Sequence, residues 1–138
     1  MKVLHVGVVG GEHEPTERQR NITAKILTKH RKATLLHGDG KGADQFAARV
    51  ATELRMPTVS YPPVDSCTRG MHRSTITMPS GDFASQARGI IRLANILLVL
   101  PTDTSSGQRT RFRSVLQAAS AAAVPSLIIY PDGRTEQR

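Results

Sequence analysis

At 138 residues the chain has the length of one domain, enough to bury a core, and its 38% hydrophobic residues with 4% aromatics and no Trp make that core aliphatic. A single cysteine, Cys67, excludes an intramolecular disulfide; no apolar run approaches the length of a membrane span and no secretory leader is evident, so the expectation is a soluble cytoplasmic protein. The net charge of +8 fits nucleic acid, an anionic small molecule or a solvated basic surface, but the basic residues are spread along the chain and form no tail.

Apolar runs alternate with helical patterns. Residues 3–9 (VLHVGVV) read as a buried strand. Thr16 and Gln19 then have capping-box spacing, opening a helix that carries Ile22, Ile26 and Leu27 and ends near His30-Arg31-Lys32. A second strand over 33–37 runs into the glycine-studded segment Gly38-Asp39-Gly40-Lys41-Gly42-Ala43-Asp44. The clearest helical stripe follows at once, with Phe46, Val50 and Leu54 beside Ala47 and Ala51. Residues 57–61 make a short third strand, stopped by Pro62-Pro63.

Residues 64–82 are polar and aperiodic and read as one long loop. A helix over 83–93 leads into the buried strand 94–100 (ANILLVL). Residues 102–107 form a second small-residue turn, followed by a helix, Arg-rich and then Ala-rich, through Ala123. Residues 126–130 give a fifth strand, and Pro131-Asp132-Gly133 begins a tail. Neither an internal repeat nor a second domain is evident.

Five strands alternating with helices predict a three-layer α/β/α sandwich with a mainly parallel five-stranded sheet, Rossmann-like in plan. Ligands of such folds bind beyond the carboxyl ends of the strands. The turns at Gly10-Gly11, at Gly38–Gly42 and at Ser105-Ser106-Gly107 all follow strands, so they are expected on one rim. Glycines there let backbone N–H groups approach an anion, and helix N-termini add a favourable dipole. Phosphate or ribose would be held by the backbone, with Lys41 and some of Arg109, Arg111 and Arg113 neutralising charge. Those three arginines open a helix, where cations oppose the dipole, which favours an anionic partner.

Each candidate has a plainer reading. Asp44 could bond a ribose hydroxyl or merely suit the first turn of its helix; Lys41 could be a solvated turn lysine. His13 and His37 could donate to a ligand, although a strand-end histidine is more often a packed side chain. Glu12-His13-Glu14 are adjacent and cannot easily converge on one metal ion, and no matching Cys/His set exists, so no metal is expected. Cys67 has no credible base near it in sequence.

The run His37-Gly38-Asp39-Gly40-Lys41-Gly42-Ala43-Asp44, the Ala-rich helix after it and Tyr61-Pro62-Pro63 together resemble the SLOG superfamily, with its HGxxxGAD-type turn. Gly10 with Thr16 and Gln19, the strand 94–101 and Ser105-Ser106-Gly107 match in order, so the resemblance spans roughly residues 3–133. It implies a Rossmann-like domain that binds a nucleotide or nucleotide-derived molecule such as an ADP-ribose derivative, with no other cofactor. Gly10, Gly11, His13, His37–Lys41, Gly42, Asp44, Ser105–Gly107, Thr110 and Arg111 would lie at the site, and related domains dimerise, which implies a homo-oligomer.

Two other activities occur in the superfamily. LOG-type phosphoribohydrolases carry PGGxGTxxE, whose Glu is implicated in glycosidic cleavage. Here the stretch is Pro101-Thr-Asp-Thr-Ser-Ser-Gly-Gln-Arg-Thr-Arg-Phe-Arg113, and no Asp or Glu occurs between Asp103 and Asp132. General acid–base work on that bond needs a placed carboxylate, so hydrolysis by that route is not expected. Single-stranded DNA binding of the DprA kind is the other alternative; the positive charge suits it, while the few aromatics offer little to stack bases on. The departures include Gly11-Glu12 where relatives have His-Arg, and Gln86-Ala87 where they have Arg-Asn.

Overall fold

Side-chain alternation along the central strands sorts the core into two halves. The protein was analysed as a computed structural model, which describes residues 2–102 and 106–138. The elements are β1 (His5–Gly10), α1 (Glu17–Lys29), β2 (Thr34–His37), α2 (Ala43–Glu53), β3 (Thr58–Ser60), β4 (Ile76–Thr77), α3 (Phe83–Leu93), β5 (Ile96–Leu100), α4 (Ser106–Ala121), β6 (Ser126–Ile129) and β7 (Thr135–Gln137). They form one sheet in the order β4-β3-β2-β1-β5-β6-β7, parallel except for β7.

Val6, Val8, Leu35, Leu98, Leu100 and Ile129 face α1 and α2, against Leu27, Ala43, Ala47 and Ala51. Val9, Leu36, Leu97, Val99 and Ile128 face α3 and α4, against Ile90, Ile91, Phe112 and Val115. Strands buried on both faces explain why the sequence shows apolar runs and no polar alternation. Leu35, Leu36, Leu97, Leu98 and Leu100 are almost fully buried, each worth about 2 kcal/mol of transfer free energy. The three-layer α/β/α reading is therefore correct. The expected α2 stripe is shifted: the fully buried face is Ala43, Ala47, Ala48 and Ala51, and Phe46, Val50 and Leu54 are only partly buried. Small residues win there because α2 lies tight on β1, and a Cβ on Gly10 would run into Ala43 Cβ.

The sheet has seven strands where five were expected. β4 lies inside the stretch whose sequence reads as one long loop, because it is two residues with both side chains exposed, leaving no periodic signal. The Thr58 N–H donates to Thr75 Oγ1 (3.0 Å), tying that segment to β3. β7 was read as tail. Instead Pro131-Asp132-Gly133 makes a hairpin turn: Gly133 has φ +90°, its N–H donates to the Tyr130 carbonyl (2.9 Å), and Asp132 Oδ1 accepts from the Arg134 N–H (2.9 Å).

The capping box is present as read: Gln19 N–H donates to Thr16 Oγ1 (3.2 Å) and Thr16 N–H to Gln19 Oε1 (3.0 Å). Gln19 also donates from Nε2 to the carbonyls of Pro101 (2.7 Å) and Ile129 (2.9 Å), so one buried side chain joins the start of α1 to the ends of β5 and β6. The chain leaves β1 to build β2, β3 and β4 on one side, then returns to lay β5 on the other. That reversal opens a crevice at the carboxyl ends of β1 and β5.

Candidate functional site

A cleft of about 350 Å³ occupies this crevice, lined among others by Gly10, Glu12, Gly38, Gly40, Lys41, Asp44 and Gln86. A neighbouring hollow of about 250 Å³ runs on to Gly107 and Gln108 at the start of α4. The two share Gly10, Glu12, Phe83 and Arg111. The Arg111 guanidinium lies 5.1 Å from the Phe83 ring centre, a cation–π contact that ties α4 to α3 at this junction. The turns after β1 and β2 and the first turn of α4 thus border one continuous site. Ser105 lies outside the described residues, and Ser106 opens α4.

The turn after β2 does something other than expected. Its Gly40 N–H donates to Asp44 Oδ2 (3.1 Å), and the Gly38 backbone also stabilises that carboxylate. A Cβ on Gly38 or Gly40 would come within 3.0 or 2.9 Å of Asp44 Oδ2. These two glycines make room for the chain's own carboxylate, so the anion in the cradle is internal. Gly42, at φ +81°, is needed for another reason: a Cβ would come within 2.5 Å of the Glu12 and His13 backbone. The Ala43 N–H there donates to the Gly11 carbonyl (3.1 Å).

Asp44 Oδ1 is buried without a hydrogen-bond partner among the described residues. Burial pushes this carboxyl up to about 7, and Asp39 adds to the rise, while the Gly40 and Gly38 backbone pull against it. Four carboxyl groups (Glu12, Asp44, Asp65 and Asp82) line the cleft beside Lys41 and Arg111. Asp65 and Asp82 are also caps, accepting from the Cys67 N–H (2.9 Å) and the Ser85 N–H (2.8 Å). The Ser85 bond holds Asp82 below the usual carboxylate range.

Asp39 and His37 were grouped with the ligand contacts, and the structure places both behind the turn. Asp39 is buried at φ +51°; its Oδ2 pairs with Arg69 Nε (2.7 Å) and its Oδ1 accepts from the His72 N–H (2.8 Å). Its carbonyl accepts from the Gly70 N–H (2.6 Å), and the Lys41 N–H donates to the Thr68 carbonyl (3.2 Å). The long loop is thereby pinned onto the glycine turn, and its Val64, Asp65 and Thr68 wall the cleft. His37 is fully buried, and its Nδ1 accepts from the Asp39 N–H (3.0 Å). The ring proton is therefore on Nε2, 3.4 Å from Ser74 Oγ, so His37 cannot take a proton from that serine and no activated nucleophile results. Burial, with the neighbouring His72, lowers its pKa to about 4, against the opposing pull of Asp39.

The other expected residues divide. Gly10, Gly38, Gly40, Lys41, Asp44 and Arg111 line the main cleft, and Gly11 and Gly107 the adjoining hollow. Gly11 packs against Thr102 and Gln108, leaving no space for a Cβ. His13, Gly42 and Thr110 do not line either space. The His13 N–H donates to Thr102 Oγ1 (3.2 Å), and Glu14 faces Arg49 (3.4 Å) and Arg20 (3.9 Å). Among the described residues no three His, Cys, Asp or Glu side chains are grouped to hold a metal ion. Sequence reasoning missed Phe83 and Gln86, which sit on α3. Gln86 Nε2 donates to the Gly38 carbonyl (2.9 Å) and the Tyr61 carbonyl (2.6 Å), bracing the rim. An amide at the first turn of a helix that reaches the sheet's carboxyl edge was the available signal.

Neither protein-family models nor curated proteins match the sequence. Solved structures do match the fold. The molybdenum cofactor binding protein from the phototrophic bacterium Rippkaea orientalis superposes with a TM-score of 0.68 at 15% identity, over 94% of this chain and 78% of its own. The molybdenum cofactor carrier protein from Chlamydomonas reinhardtii gives 0.66 at 21%, over 91% and 76%. The chain shares the fold of these proteins, the Rossmann-like α/β plan that the sequence pattern predicts. DNA processing protein A from Helicobacter pylori, described for its single-stranded DNA binding, shares this fold at a TM-score of 0.62 and 19% identity. The match covers 91% of this chain but only 64% of that protein. At these identities the likeness is one of fold, and what the rim binds has to be argued from the rim itself.

Proposed function

We propose that this SLOG-fold protein binds a nucleotide or a nucleotide-derived small molecule in the rim cleft, as a ligand-binding or sensor module. One observation carries the reading: at the strand-order reversal a cleft at the β2–α2 turn and a hollow at the first turn of α4 adjoin across Gly10, Glu12, Phe83 and Arg111. Its two ends differ in chemistry. Gly107, with nothing within 4 Å of where a Cβ would stand, and Arg111 suit an anionic end of the ligand at the start of a long helix. The Asp44 end suits groups that donate hydrogen bonds.

The resemblance to molybdenum cofactor proteins supports a small-molecule ligand, and that cofactor belongs among the candidates. A DNA strand is disfavoured in this cleft because four carboxyl groups line it against two cations, despite the chain's overall +8. Cleavage of a nucleoside phosphate by the LOG-type route is disfavoured because α4 contains no Asp or Glu. The test is a melting-temperature panel with AMP, ADP-ribose, NAD and molybdenum cofactor. At a hundredfold excess over Kd, binding adds about 2.7 kcal/mol, a rise of several degrees for a domain this size. No rise with any of them, in a folded sample, overturns the proposal.

A further inference from the structure

The glycine turn was expected to receive the ligand's phosphate. Its geometry argues otherwise. The Gly40 N–H that would meet a phosphate oxygen is already bonded to Asp44 Oδ2, and Gly38 and Gly40 are bare where a Cβ would strike that oxygen. A phosphate brought here would meet Asp65 and Asp82 on the surrounding walls, which the α4 hollow lacks, and above about pH 7 the ionised Asp44 as well. Like charges at such range cost energy in a partly desolvated site. What the turn leaves unpaired is Asp44 Oδ1, buried without a hydrogen-bond partner on a residue that lines the cleft. A buried carboxyl oxygen without a hydrogen bond is unfavourable, and a donor from outside relieves that cost.

Resting on the binding proposal above, we infer that the Gly38–Asp44 turn is a donor-reading site: Asp44 Oδ1 accepts an O–H or N–H of the ligand, and binding strengthens as the pH rises. The class of group recognised is a sugar hydroxyl or the amino or ring N–H of a heterocycle, and the phosphate lies at the α4 end. The sign follows from the proton. With the cleft empty, desolvation keeps Asp44 protonated up to about pH 7. A ligand donor can bond Oδ1 only when that oxygen is an acceptor, so binding selects the ionised carboxyl and releases the proton. For a group at 7 in the free protein, affinity rises about tenfold from pH 6 to pH 8 and then levels off. The other charged groups facing the same space are Glu12, Lys41, Asp65, Asp82 and Arg111, with Asp39, His37 and His72 behind the turn.

Calorimetric titration with ADP-ribose and NAD, whose phosphodiesters do not titrate between pH 6 and pH 8, in buffers of different ionisation enthalpy at those two pH values, tests this on the full chain. The variant is Asp44→Asn, which keeps the size of the side chain; its fold is checked by circular dichroism. The Asn oxygen faces the Gly40 N–H and its NH₂ faces the cleft, a donor against a donor. The expected result is about tenfold tighter binding at pH 8 than at pH 6 with proton release, and at least a tenfold loss at pH 8 with a flat pH profile in Asp44→Asn. Binding that ignores pH, or a pH dependence that survives in Asp44→Asn, overturns the assignment while leaving the binding proposal intact. No binding of any probe at either pH overturns both.

Discussion

Asp44 and His37 flank the same glycine turn, seven residues apart, and burial moves them in opposite directions. Asp44 keeps its proton to about pH 7 in the fold but loses it near 4 once unfolded, so its contribution to stability declines as pH rises between those values. His37 is neutral in the fold down to about pH 4 but takes a proton near 6.5 when unfolded, so its contribution increases as pH rises through 4 to 6.5. The full shifts correspond to on the order of 4 and 3 kcal/mol as upper bounds. In the wild type the two slopes largely cancel. Asp44→Asn removes one of them, and the difference in stability between variant and wild type should move in the variant's favour from pH 4.5 to 6.5. His37→Asn should move it the other way. Denaturant midpoints at several pH values measure both, and parallel curves for wild type and Asp44→Asn would contradict the account.

The elements at the rim are held by a few side chains that reach between them. Asp39 is the link between the glycine turn and the 64–82 loop, because both its oxygens and its carbonyl are engaged by that loop. Arg69→Ala leaves the buried Asp39 carboxylate with only the His72 N–H on its side chain, an expected loss of about 2–4 kcal/mol. Hydrogen exchange should show the added opening in residues 64–74, with β5 and β6 as protected as before. Uniform loss of protection across the sheet would mean that Asp39 supports the fold as a whole and not the loop.

How far the sequence could be read depends on the range of the contacts. β1, β2 and β5 were plain because strands buried on both faces are apolar throughout, and the capping box at Thr16 and Gln19 is a three-residue pattern. The hairpin to β7 was also written in Pro131-Asp132-Gly133, a turn signal taken for a tail. The glycine spacing pointed correctly to the rim. It could not say that Gly40 turns its N–H inward to Asp44, nor that Asp39 belongs to the loop and Asp44 to the cleft, since both are acids in one short segment. Their difference comes from Arg69 and His72, thirty or more residues away. Phe83 and Gln86 carried only a weak local signal, their place in the first turn of α3, because their partners at Arg111, Gly38 and Tyr61 are also remote in sequence.

At the scale of the whole molecule, charge and site part company. The chain carries +8, yet the cleft at the strand-order reversal is lined by more carboxyl groups than cations. The basic surface therefore says little about the cleft, and the fold, shared with proteins described as binding a molybdenum cofactor or single-stranded DNA, does not choose a ligand. The proposed class is a small molecule with an anion at one end and hydrogen-bond donors at the other. The most direct check is a two-dimensional amide NMR titration of the labelled chain with AMP or ADP-ribose. The account predicts that the largest shifts fall on Gly10, the Gly38–Asp44 turn and residues 107–111, leaving the outer faces of α1 and β7 unmoved. Shifts confined to surfaces away from these turns, or none at saturating ligand, would contradict it.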